Sequence, residues 1–141
     1  MINRSIELLG FLKAAVISSL SLFAVCWVSD LAAANEQVDF EEVAMIFVTK
    51  CLECHSETEK QAGLILTNRT SLITGGESGH AIVPHNSANS LLLEKIESGE
   101  MPPPKKGVTQ ALAKHEVDLI KNWIEQGAVW PTNRELDLYE R

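Results

Sequence analysis

Residues 51–56 read CLECHS. Two cysteines and a histidine fall within five positions, in a chain of 141 residues with only three cysteines. The spacing admits a zinc knuckle, a redox dithiol, a plain disulfide or a haem anchor. A structural zinc site takes four Cys or His ligands in two pairs. Only His80 and His85 offer a second pair, which leaves zinc as an alternative but gives His55 no special place beside Cys54. A thioredoxin-like dithiol opens a helix after a strand, whereas here a helical pattern precedes the cysteines. A Cys51–Cys54 disulfide again leaves His55 unexplained. Haem attachment uses all three residues. Cysteines three apart on one tight turn face the same side and suit two thioethers on one porphyrin edge. The adjacent histidine then points beneath the macrocycle as an axial ligand, which is the logic of C-x-x-C-H.

A second axial ligand has to be soft or nitrogenous. Met45, Met101, His80, His85 and His115 are the candidates. Met45 lies on the helix before the motif, where a core role is expected. His115 starts the last helix and is expected to face solvent. Met101 precedes Pro102, Pro103 and Pro104, which restrict the backbone and hold the sulfur in place, so Met101 is the preferred ligand.

Working outward, "DFEEVAMIFVTKC" (39–51) reads as a helix capped by Asp39, with Glu41 and Glu42 at the positive end of the dipole. Phe40, Val43, Ala44 and Phe47 form its apolar face. Residues 56–89 show little helical signal, with "GLIL" and "HAIV" as short extended pieces and "TGGESGH" as a turn cluster. A helix over "SLLLEKIESG" follows, with Asn89 or Ser87 as its cap and Gly99 as its stop. The last helix, "AKHEVDLIKNWIEQGA", puts Val117, Ile120, Trp123 and Ile124 on one face and Gly127 at C′. About three helices, long loops and an aromatic-poor core make a small all-α fold that needs a staple, and a buried haem serves as one.

The N-terminus reads differently. Arg4 and Lys13 precede an apolar run from Ala14 to Val28, followed by Ala32 and Ala34. Basic start, apolar middle and A-x-A exit make residues 1–34 a secretory signal, with Cys26 in its core. The run is short of the ~20 residues a spanning helix needs, and an uncleaved anchor is the alternative. The expected organisation is a signal at 1–34, a haem domain at 38–131 and a polar tail at 132–141, in a periplasmic or otherwise extracytoplasmic location. The net charge is −7. The bases and acids of 1–34 cancel, so the acidity belongs to the domain. That argues against nucleic acid and anionic membrane, and favours a redox partner with a basic docking face.

As a set, "IFVTKCLECHS", "GLILTNRTSLITGGESGHAIVP", "SLLLEKI", "MPPP" and "LIKNWIEQGAVWP" resemble planctomycete-type cytochrome c domains over about residues 40–131. The resemblance implies one covalent haem c on Cys51 and Cys54, His55 as proximal and Met101 as distal ligand, and Trp123 packed near Phe47. The function implied is a single-electron carrier rather than an enzyme. The alternatives are a haem enzyme or gas sensor with a labile distal site, and a membrane-tethered relay subunit. His85 stands where a small residue is expected, which keeps a histidine competitor open. Ala113 replaces a Ser/Thr cap, and no proline follows the motif before Pro84 to supply a carbonyl for His55. Members of the family often continue into large domains. A chain ending at Arg141 reads as a free-standing carrier or a separate subunit.

Overall fold

The computed structural model describes residues 36–140, so the signal expected at 1–34 lies outside the described residues. Four α-helices and no strands occur among them: α1 (Phe40–Ile46), α2 (Arg69–Thr74), α3 (Leu91–Glu97) and α4 (Lys114–Glu125). The all-α expectation holds, with one helix more than expected. No helix among the described residues is long and apolar enough to cross a membrane.

Asp39 caps α1 by accepting from the Glu41 N–H at 3.0 Å. The helix then widens into a π-turn over Phe47–Cys51, where the Leu52 N–H reaches back to the Phe47 carbonyl at 3.0 Å. A π-turn inserts one residue into the helical register and rotates everything after it. Phe40, Val43, Ala44 and Phe47 are all buried, as their spacing predicts. Met45 is not a core residue: it is 49% exposed on the outer side of α1.

The helix missed in the sequence is α2. Asn68 caps it, accepting from the Ser71 N–H at 2.9 Å, and Leu72 is fully buried beneath it. "TGGESGH" is a turn as expected, closed by reciprocal Gly76–Gly79 backbone bonds of 3.1 and 3.0 Å. "GLIL" and "HAIV" form no strands; only isolated bridges occur. The N-cap of α3 is Ser90, not Asn89 or Ser87. Its hydroxyl accepts from the Val83 N–H at 2.9 Å and donates to the Asn86 carbonyl at 2.9 Å, tying the preceding loop to the helix start.

Ala113 has no oxygen to cap α4. The Glu116 carboxylate compensates by accepting from the Ala113 N–H at 2.7 Å, which is the reciprocal half of a capping box. At the other end the Ala128 N–H bonds the Trp123 carbonyl and the Gly127 N–H bonds the Ile124 carbonyl, each at 2.9 Å. This is a Schellman motif with Gly127 at C′, where φ is 97°.

α4 packs on α1 and α3. The core at their junction is not aromatic-poor. Phe40, Phe47, Trp123 and Trp130 form one cluster, with Trp123 edge-on to Phe47 at 5.8 Å and Trp130 at 4.5 Å from Phe40. Four large rings suffice because they converge at one point, although aromatics are only 6% of the chain. The segment expected as a polar tail is also part of this assembly. Leu136 is buried and its N–H donates to the Thr67 carbonyl at 2.8 Å. Arg134 bridges Glu41 of α1 at 3.1 Å and Glu140 at 2.7 Å.

Candidate functional site

The π-turn delivers Cys51 to a turn closed by its own backbone bonds. The Cys54 and His55 N–H groups both donate to the Cys51 carbonyl, at 3.1 and 3.0 Å. The Cys54 carbonyl accepts from Gln61, and the His55 carbonyl accepts from Leu66 at 2.9 Å. Cys51, Cys54 and His55 therefore sit on a fixed turn that opens on a cavity of about 330 Å³. That volume falls in the range of small-molecule and cofactor sites. Its walls are mostly apolar, with Leu64 and Leu66 from the connection after the motif, Ala81 from the loop before α3, Leu92 and Ile96 from α3, and Leu112 before α4. Met101 and the three prolines after it complete the lining.

The cavity separates the candidate ligands. Cys51, Cys54, His55 and Met101 all line it. Met45, His80, His85 and His115 do not. His80 donates from Nδ1 to the Ile73 carbonyl at 2.8 Å, closing the end of α2. His85 donates its backbone N–H to the Ile124 carbonyl at 2.8 Å and its Nδ1–H to the Glu125 carbonyl at 3.0 Å. Both histidines thus satisfy helix C-termini, where carbonyls lack intrahelical partners. Neither His80 nor His85 lines the cavity, and a helix-end carbonyl occupies Nδ1 of each. Among the described residues no three His, Cys, Asp or Glu side chains gather into a metal cluster. His115 is exposed, as expected.

His55 is buried, at 9% exposure, and its Nδ1 has no hydrogen-bond partner. Burial pushes the imidazole below its ordinary pKa. The Leu64 and Gln61 backbone groups near the ring act in the opposite direction without closing a bond to Nδ1. The ring is therefore neutral at neutral pH and keeps the lone pair that a metal needs. An ordinary core histidine is not left with an orphaned ring nitrogen, which costs ~1–3 kcal/mol. Cys51 and Cys54 are free thiols. Burial first, then Cys54 and Glu116, push the Cys51 thiol up to about 12, slightly offset by Lys50. A redox-active dithiol needs a depressed pKa to expose its thiolate, so this environment argues against that chemistry. Two free thiols, a neutral buried imidazole and a thioether on one apolar cavity fit a haem c. Cys51 and Cys54 would hold it, with His55 and Met101 as iron ligands.

Residues 51–105 match the family model of planctomycete cytochrome C. The match falls on the family that the sequence resembles, over a shorter stretch than the 40–131 expected, and it contains all four candidate site residues. No curated protein and no solved structure matches the chain. Cys51, Cys54 and His55 of the C-x-x-C-H motif open the matched stretch. Sequence reasoning missed the charged rim of the cavity. Lys50, Glu53, Lys95, Glu100 and Lys105 all line it, and two ion pairs link four of them. No local pattern pairs Glu53 with Lys105, 52 residues away.

Proposed function

We propose that this protein is an extracytoplasmic mono-haem c-type cytochrome that passes single electrons between redox partners. The observation that carries the proposal is the shared cavity: both thiols, His55 and Met101 line it, and every other Met or His candidate lies elsewhere. When bound, the haem supplies one-electron chemistry at iron, and Met/His ligation raises its potential. Cys51 and Cys54 would hold the group through the bonded turn. His55 would offer its iron a neutral ring. Met101 is presented by a segment whose three prolines limit its freedom. The leucines and Ile96 would keep water from the group. With His55 and Met101 both bound to its iron, the protein would exchange electrons without binding a substrate. The net charge of −7 favours a partner with a basic face and disfavours nucleic acid. The extracytoplasmic location rests on the signal-like pattern of residues 1–34, and a membrane contact follows only if that segment is retained.

Intact-mass measurement of the denatured protein should show the chain plus one haem. The ferric form should carry the weak near-infrared charge-transfer band of a methionine–iron bond, and Met101→Ala should abolish it. A wild type that lacks the band and binds carbon monoxide at once in the ferrous form would overturn the carrier reading in favour of a haem enzyme or gas sensor.

A further inference from the structure

The segment that carries Met101 is tied down at both ends. On the α3 side the Met101 N–H donates to the Lys95 carbonyl at 3.0 Å. Lys95 Nζ reaches Glu100 at 2.8 Å, and the Ser98 hydroxyl reaches the same carboxylate at 3.1 Å. Beyond the three prolines, Lys105 Nζ bonds both carboxylate oxygens of Glu53, at 2.6 and 2.9 Å. Glu53 lies inside the C-x-x-C turn, immediately before Cys54. Neither partner of this pair sits on loose chain. Lys105 is the base of a turn closed by reciprocal bonds with Val108, at 2.9 and 3.0 Å. Lys106 and Gly107 at its tip have φ of 52° and 78°. Glu53 sits on the bonded turn described above. A lysine on an independent surface would be free to wander, whereas this one meets its partner with both backbones already fixed.

We infer that Glu53 and Lys105 are positioning residues that clamp the Met101 segment to the cysteine turn and so set how readily the methionine gives way to an outside ligand. The inference rests on Met101 being the distal ligand. An outside ligand binds only the open form of the segment, so its apparent affinity scales with the fraction open. The two side chains are 60% and 62% exposed. A pair this exposed shifts the open fraction by only about two- to five-fold, and salt screens it.

The test is imidazole binding to the ferric holoprotein near pH 8, where imidazole is uncharged, at low and high salt. At low salt, Glu53→Gln and Lys105→Gln should each bind imidazole about two- to five-fold more tightly than wild type. Wild-type affinity should rise towards the variants as salt is added, while theirs, with only the Lys95–Glu100 pair left to screen, should rise less. The charge-swapped double variant, Glu53→Lys with Lys105→Glu, should return towards wild type. Equal affinities and equal salt slopes in wild type and single variants would overturn the clamp, as would a swap that recovers nothing. Met101→Ala separates this from the ligand assignment. If it tightens imidazole binding while Glu53→Gln does not, the clamp alone fails. If it leaves the affinity unchanged, the methionine reading fails and the clamp with it.

Discussion

Gly127→Ala should destabilise the fold by about 2–3 kcal/mol through two separable effects. At φ 97° the backbone of Gly127 is in the left-handed region, and an L-residue there costs ~1–2 kcal/mol. A Cβ would also lie 2.6 Å from His85 Cε1 and 2.7 Å from Nε2. The imidazole has to swing away, and swinging breaks its 3.0 Å bond to the Glu125 carbonyl, worth ~1 kcal/mol. Urea unfolding followed by circular dichroism measures the total. A cycle with His85→Ala divides it. In the His85→Ala background only the backbone part of the Gly127→Ala cost remains, so the two changes should couple by ~1 kcal/mol. The haem spectrum should not move, because neither His85 nor Gly127 lines the cavity. A loss below ~0.5 kcal/mol, or additive single effects, would refute the reasoning.

Leu136→Ala should cost ~2–5 kcal/mol, as for other buried leucines; a change near zero in the urea midpoint would mean that residues 132–140 do not contribute to the core. Glu116→Ala should lower stability by ~0.5–1 kcal/mol through loss of the only side-chain cap at the start of α4, and Glu116→Gln should retain most of it; equal losses in both would point to charge rather than the cap. Stability should also fall in acid. Glu125 is held below the ordinary carboxyl pKa by hydrogen bonds from the Ser87 hydroxyl and N–H, and Glu140 chiefly by Arg134. Their folded values lie below the unfolded ones, so this contribution is complete above the unfolded value and is lost as pH falls through the folded values. The urea midpoint should therefore drop below about pH 4.5, with a shallower drop in Glu140→Gln. A midpoint constant down to pH 3 would contradict the assignment.

The readable parts of this protein were those whose signal is short in sequence. C-x-x-C-H needs one turn. Asp39, Gly99 and Gly127 mark helix ends through their own backbone and side-chain chemistry, and α1 and α4 show their buried faces by spacing alone. Met101 stood out because three prolines follow it. α2 escaped because six residues rich in Thr, Ser and Ile carry little helical propensity; Asn68 as a cap was the one available signal.

What only the tertiary structure decided depends on contacts between residues far apart in the chain. Met45 and Met101 are chemically the same ligand. The structure turns the first outward on α1 and places the second on the cavity wall. His80 and His85 looked like ligands because a histidine's role depends on its neighbour, and their neighbours are carbonyls at the ends of α2 and α4. Leu136 read as part of a polar tail until the chain returned to Thr67. The Glu53–Lys105 pair has no local trace at all. A sequence states propensities over a few residues. Which side chains share a cavity or meet as ions is set by how distant segments pack, and that information exists only once the chain has folded.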